Sequence, residues 1–478
     1  MTKITCLDDV DDSPASVATT RRCRVVAGFL ARTDGREIVE PAEADLATVV
    51  AALADRGVLH FRPTGEPGVV AVDHVPSEAV VRTATDGLKE WPSSVANRMA
   101  KSARRSAGAL FTFPDELGDD AIEVFITDWS PCPGACAVAV HHGHPYVRGR
   151  VPWDDRPSWF TGLYVRHPLT GDLLPVWVAD WVKPDFGTGA VLVNPAHDAV
   201  DLEFGRSVGM PIRFALMPTG ASDSPESWPA PPVIKQGTAI KTGRWDGMNV
   251  ADARTAYRET LGERGLAKDH TDVRLPGYRI GTLTMDDAGP WRWTPEDGRL
   301  APAGDGDGGG RRARLEPAPV LAAAAAVVGG AEVVMMGATA VKSAAPLLVT
   351  LLKDGGVERM PAVQVTQTAD YGGSREYDDA LRLAYLVAGD PNQPATVKEA
   401  LLEQTERFLA GLGEMKERLA EVGEAPPKGV ASALDRGDPV ALFRELYRWQ
   451  KDTLKSGKPV EERSYRAAVS ALLGDTGF

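Results

Sequence analysis

Residues 187–204 read GTGAVLVNPAHDAVDLEF, and this stretch narrows the fold of the chain more than any other. Two glycines around Thr188 permit a tight turn and close backbone approach. The run AVLVN is short and apolar, which fits a buried strand. HDAVDLEF then starts like the first turn of a helix, with Asp198 and Asp201 three positions apart on one face, where the helix dipole favours acids. The junction also collects His197, Asp198, Asp201 and Glu203. Carboxylates held there can grip an ammonium group or orient a water. The plainer alternative is that Asp198 caps the helix and Asp201 is solvated.

With 478 residues the chain has room for two to four domains, since single cores stop growing at about 250–300 residues. A formal charge of -13 argues against broad attraction to nucleic acid, so any such contact needs a local patch. KSARRS at 101–106 is the clearest one, with Lys101, Arg104 and Arg105 as candidate RNA contacts and a solvated helix face as the alternative. Cys6, Cys23, Cys132 and Cys136 include only one close pair, so no structural zinc site is expected and no metal is assigned. Cys132 lies between Pro131 and Pro133, and neither it nor Cys136 has an evident activating base, so both are read as structural thiols. The acidic start of the chain and the glycine-broken run VLAAAAAVVGGAEVVMMG fit neither a secretory signal nor a membrane span, and a cytoplasmic protein is expected.

Composition then divides the chain. GDGDGGGRRARLEPAP at 304–319 has too few apolar residues to fold alone and reads as a linker. Before it, EVFITDW, LLPVWVADWV and GAVLVNP are strand-like. After it, AEVVMMG and ATAVKSAAPLLVTLLKDGG read as a strand and a glycine-closed helix. Thr396 and Glu399 form a capping-box pattern opening an amphipathic helix, and two more amphipathic stretches follow.

At this point the residues reach a family. VADWVKPDFGTGAVLVNPAHDAVDLEFGRSVGMPI resembles the matching part of the editing domain of bacterial leucyl-tRNA synthetases. DGLKEWPSSVANRM, RSAGA, IEVFIT and TGLYVRHPLTGDLLPVWVAD precede it in the family's order, and TGRWDGMNVADA and LAKDHTDVRLPGYRIG follow, over about 190 residues. EYDDALRLAYLVAGDPNQ, TERFLAGLGEMKERL and LYRWQKDTLKSGKPVEERSYRAAVSALL are more weakly similar to later parts of that synthetase. The resemblance implies an α/β fold: an editing-type mixed α/β barrel on a reduced Rossmann-like remnant, with a C-terminal α-helical bundle. Its expected divisions are 1–85 as a remnant of the catalytic region, 86–282 as the editing domain, 283–319 as linker, 320–390 as Rossmann-like remnant and 391–478 as truncated anticodon-binding-like bundle. No HIGH-type motif is found before Asp86, and VQVTQTADYGGSR stands where a KMSKS-type motif is expected. Amino-acid activation is therefore not expected, and no cofactor is called for. HHGHP at 141–145 occupies the place of a family PEHP sequence and is not read as a metal or ATP site.

In the family the editing domain hydrolyses the ester joining a wrong amino acid to the 3′ adenosine of tRNA. The aspartate matching Asp201 anchors the substrate ammonium. Retention of His197, Asp198 and the Gly187-Thr188-Gly189 turn implies that half the pocket is present. The other half departs: the family's T-T-R-P-D-T reads here as Ile126, Thr127, Asp128, Trp129, Ser130 and Pro131. Thr127 keeps a hydroxyl, Asp128 reverses the charge of an arginine, and Pro131 stands where a threonine excludes leucine. Three readings follow: a free-standing aminoacyl-tRNA deacylase, a non-hydrolytic aminoacyl-tRNA binder or transferase, or a pseudoenzyme that partners a synthetase or another enzyme.

Overall fold

The junction marked in the sequence forms as expected. In a computed structural model, which describes residues 2–7, 14–221, 237–295, 298–304, 310–367, 369–371 and 377–474, Ala190–Val193 is a strand and Ala199–Ser207 the helix that follows it. The chain splits into two compact units. One comprises Leu53–Arg82 and Lys101–Glu316, and the other Met1–Ala52, Thr83–Ala100 and Pro317–Phe478.

The unit holding the junction contains, in chain order, β1 (Leu59–Pro63), β2 (Val69–His74), β3 (Arg104–Pro114), β4 (Ala121–Ile126), β5 (Ala137–Val140), β6 (Ser158–Arg166), β7 (Leu173–Ala179), β8 (Ala190–Val193), α1 (Ala199–Ser207), α2 (Val250–Glu263), β9 (Ala267–Arg274), β10 (Tyr278–Met285), β11 (Trp291–Thr294), β12 (Arg299–Pro302) and β13 (Arg311–Pro317). One sheet runs β8-β5-β7-β6, with β8 antiparallel and β7 parallel to β5. A second, antiparallel sheet runs β9-β3-β4. Alternation writes the core: Ala109, Phe111 and Phe113 on β3, Ile122 and Val124 on β4, and Val138 and Val140 on β5 are fully buried in one cluster. Burying each large side chain of this kind contributes about 1.5–3 kcal/mol. An isolated bridge from Asp115 to Val165 ties the two sheets together.

A third sheet, β12-β11-β13-β10-β2-β1, changes two expectations. The stretch 283–319, expected as a linker, carries the end of β10 and all of β11, β12 and β13, and buries Trp291, Trp293, Leu300 and Ala313 to 2% exposure or less. In β13, RRARLEP, arginine and glutamate take outward positions while Ala313 and Leu315 point inward, so a two-residue period hides inside a polar composition. Residues 305–309 of that stretch lie outside the described residues. The boundary at 86 also moves, because β2 pairs with β10 some 200 residues later, His74 opposite Tyr278, and draws 53–82 into this unit.

In the other unit four parallel strands lie in the order Ala362–Thr366, Val333–Gly337, Lys3–Leu7, Glu37–Ile38. The expected strand and helix of 331–356 are present, the helical part as Ala338–Ser343 and Ala345–Asp354. Helices Asp379–Val387, Glu399–Met415, Lys428–Asp435, Pro439–Ser456 and Glu462–Leu473 share a core with residues of the helix Pro14–Thr33 and the strand Lys3–Leu7. Thr396 does not cap the helix it was expected to open; it pairs in a short strand, and Lys398 precedes Glu399 without a side-chain cap. Of VQVTQTADYGGSR, Thr368 and 372–375 lie outside the described residues. Among the described residues no helix is long and apolar enough to cross a membrane.

Candidate functional site

A cavity of about 370 Å³ opens where the end of β4 faces the β8–α1 junction. Thr127, Asp128 and Pro131 line it from one side, and Asn194, His197, Asp198 and Asp201 from the other. Six of the residues singled out in the sequence therefore meet in one place: Asp201, Asp198, His197, Thr127, Asp128 and Pro131.

The junction is built by local hydrogen bonds. Asp198 is exposed and caps α1, its Oδ1 accepting from the N–H groups of Val200 at 2.8 Å and Asp201 at 3.2 Å. Asp201, by contrast, is not solvated: it is 5% exposed, and its Oδ2 accepts from the Asn194 N–H at 2.7 Å. Burial is the main reason its acidity falls, the Asn194 N–H opposes the shift and the nearby Asp198 charge adds to it, leaving the carboxyl at about 7. A carboxyl poised there changes protonation state readily at neutral pH. The buried His197 accepts from the Ala215 N–H through Nε2 at 3.2 Å, which places the proton of the neutral ring on Nδ1, and its ring meets Phe214 edge-on.

The opposite wall is a compact turn. Asp128 Oδ1 accepts from the backbone N–H of Ser130 at 3.1 Å and from its hydroxyl at 2.7 Å. Arg254, on α2, donates to the Thr127 carbonyl at 3.0 Å, reaches Asp128 Oδ1 at 4.0 Å and lies over the Trp129 ring at 4.2 Å. Trp129 Nε1 donates back to the Arg254 carbonyl at 2.8 Å. The charge that looked reversed in the sequence is thus a turn-forming carboxylate with its own arginine.

Other expected residues sit elsewhere. Ser130 is fully buried and serves the turn; it does not line the cavity. Thr188 and Gly189 do not line it either: the Thr188 hydroxyl donates to the Glu123 carbonyl of β4, and the Gly189 carbonyl accepts from the His141 N–H at 2.9 Å. They fasten β8 to its neighbours. Lys101 ends a helix at Ser93–Ser102, and Arg104 and Arg105 begin β3, so the basic run spans two elements; all three are exposed and outside the cavity lining. The Cys132 thiol does line the cavity, but burial holds its acidity far below the ordinary thiol range. Cys136 donates to the Pro211 carbonyl at 3.1 Å, and all four cysteines are free. His141 and His142 are buried against aromatic rings, and among the described residues no group of three His, Cys, Asp or Glu side chains is placed to hold a metal ion.

Three contributors escaped sequence reasoning. Asn194, 8% exposed, lines the cavity, and its Oδ1 is buried without a hydrogen-bond partner among the described residues. Lys183 brings an exposed ammonium to the lining. Arg254 acts from 127 residues away along the chain. The first two lie inside the stretch quoted for the resemblance and carried a usable signal, a polar residue ending an apolar strand and a lone cation before the glycine turn. The third carried none.

Comparison with known proteins finds similarity in the same region of the chain. Residues 153–261 match the family described as leucyl-tRNA synthetase, editing domain. That segment supplies one wall of the cavity, including Lys183, Asn194, His197, Asp198 and Asp201, but not the 126–131 turn. A leucine–tRNA ligase of Alcanivorax borkumensis is 30% identical over 244 residues, 44% of this chain and 30% of that protein. One from Synechococcus elongatus is 30% identical over 220 residues, 41% of this chain and 25% of its own length. The chain thus matches less than a third of each of these relatives. A solved LeuRS–tRNA–LeuAMS complex from Agrobacterium radiobacter aligns over 95% of this chain and 82% of its own at 16% identity and a TM-score of 0.41, too loose a likeness to bear on the site. The unit around the cavity contains a segment, residues 153–261, similar to the synthetase editing domain. The chain itself is leucyl-tRNA synthetase-like.

Proposed function

We propose that this protein acts on aminoacyl-tRNA as a free-standing editing-type deacylase, without activating amino acids. The observation that carries the reading is Asp201, a buried carboxyl in a cavity that also holds Thr127, the one hydroxyl kept from the altered strand. As the carboxylate, Asp201 takes the substrate α-ammonium in a charge-assisted hydrogen bond. Thr127 holds the terminal adenosine or the attacking water, and Lys183 supplies a cation for phosphate or carbonyl oxygen. Water then adds to the acyl carbon, the ester C–O bond breaks, the ribose oxygen takes a proton, and the free amino acid leaves with no covalent enzyme intermediate.

A second reading, binding or transfer without hydrolysis, is favoured by the 127–130 turn. Its carboxylate and hydroxyl are spent on each other and on Arg254, and so are withdrawn from a water. A deacylation time course decides between them, using tRNA(Leu) charged with leucine, isoleucine, norvaline or methionine, beside Asp201→Ala and a reaction without protein. Release above background that vanishes in the variant supports hydrolysis. No release, with protection of the ester from spontaneous hydrolysis, supports the carrier. Unchanged handling of charged tRNA by Asp201→Ala overturns the ammonium anchor.

A further inference from the structure

A second cavity, of about 760 Å³, lies behind the turn that walls the first: Pro131 and Cys132 line one, Pro133 and Gly134 the other. Its lining holds four cations, Arg213, Lys241, Arg244 and Arg264, against a single carboxylate, Asp172. In a chain of net charge -13 such a concentration is not the average surface. The arginines are fixed by other contacts: Arg213 pairs with Asp172 at 3.4 Å, Arg264 donates to the Pro168 carbonyl at 3.2 Å, and Arg244 donates to Thr260 Oγ1 at 2.7 Å while lying over the Trp245 ring. Each guanidinium has five N–H donors, so these bonds leave donors for a ligand.

Lys241 adds an independent observation. It is the non-glycine residue with positive φ among the described residues, at 55°, and its ammonium makes no hydrogen bond or ion pair among them. A left-handed lysine costs about 1–2 kcal/mol. The surroundings impose it: the Thr242 N–H and hydroxyl both donate to Asp246 Oδ1, at 2.6 and 2.9 Å, and the Ile240 N–H donates to the Ala215 carbonyl. Strain held in place this way marks functional positions.

We propose that this second cavity binds the phosphate groups of a single-stranded RNA segment. Four cations in one concavity suit phosphate oxygens, and a volume about twice that of the neighbouring cavity suits a strand better than one isolated anion. The proposal concerns binding alone and holds whether or not the first cavity hydrolyses an ester.

The test is fluorescence anisotropy with a labelled single-stranded RNA oligonucleotide over a range of salt concentrations. Each lost phosphate contact lowers the slope of log K against log salt by about 0.7 for a single strand. Arg213→Gln with Lys241→Gln should therefore weaken binding and flatten the slope by about 1.4, whereas Lys241→Arg should leave the slope alone. Lys241→Gly removes the ammonium while relieving the left-handed backbone, so its loss of affinity cannot come from misfolding. Competition separates sources of phosphate: displacement of RNA by inorganic phosphate or adenosine monophosphate at concentrations near those of the strand assigns the site to a free phosphorylated molecule and overturns the strand. Affinity and slope unchanged in the double variant overturn the site altogether.

Discussion

Asp201→Asn should make the protein more stable and less able to hold its substrate, with a pH signature that identifies the cause. The folded chain holds this carboxyl at about 7 against an ordinary 3.8, chiefly through burial. The folded state therefore keeps the proton longer than the unfolded state. The favourable contribution is complete below the ordinary value and is lost as pH rises through about 7. At about 1.4 kcal/mol per pKa unit, the raised value costs the wild type about 1.7 kcal/mol of stability near pH 5, where only the unfolded chain is ionised, and about 4 kcal/mol near pH 8. An asparagine does not titrate, and its amide oxygen can still accept from the Asn194 N–H that now bonds Asp201 Oδ2. Urea unfolding of both proteins at these two pH values should show the variant's advantage growing by about 2–3 kcal/mol towards the alkaline side. Comparing the two proteins at each pH cancels every other titrating group. In the deacylation assay the same variant should lose about 10–100-fold in kcat/KM, the worth of a charge-assisted bond to the ammonium. A stability difference that does not change with pH would refute the argument, since it would mean the carboxyl is not held neutral by burial.

Three further outcomes are expected. Burial lowers His60 to about 4 and His142 to about 3, so the unfolded chain takes up protons first and stability falls as pH drops from 6.5, by about 3 kcal/mol for His60 alone; His142→Phe, which keeps a ring between Trp153 and Trp159, should flatten the fall of the urea midpoint. Gly187→Ala puts a Cβ 2.5 Å from Phe125 Cβ at a residue with φ of 55°, and should cost about 2–4 kcal/mol in unfolding free energy and disturb a cavity that Phe125 lines. Asp128→Arg should lower the melting temperature, because it sets a second guanidinium beside Arg254 and leaves the buried Ser130 N–H and hydroxyl without their acceptor, at about 1–3 kcal/mol per orphaned group.

The β8–α1 junction was legible because its determinants are neighbours: a glycine turn, four apolar strand residues, a proline, a capping aspartate and a carboxylate three positions on. The plain reading held for Asp198, which caps, and failed for Asp201, which is buried and not solvated. What remained hidden depends on contacts distant in sequence. Nothing in GDGDGGGRRARLEPAP announces that Arg311 opposes Trp293 in a sheet, nor that His74 pairs with Tyr278. Thr188 was placed in the pocket with the glycine turn that the resemblance retains, yet the Glu123 carbonyl claims its hydroxyl.

The turn at 127–131 carries the same lesson into function. Position by position, Asp128, Ser130 and Pro131 look like separate losses from an ancestral pocket. Asp128 and Ser130, with Arg254 and Trp129, make one connected set of contacts, in which the carboxylate accepts from the serine twice and the arginine covers the indole. Groups coupled in this way do not contribute independently. Restoring Asp128 or Ser130 to the synthetase residue therefore breaks the set before it rebuilds a pocket.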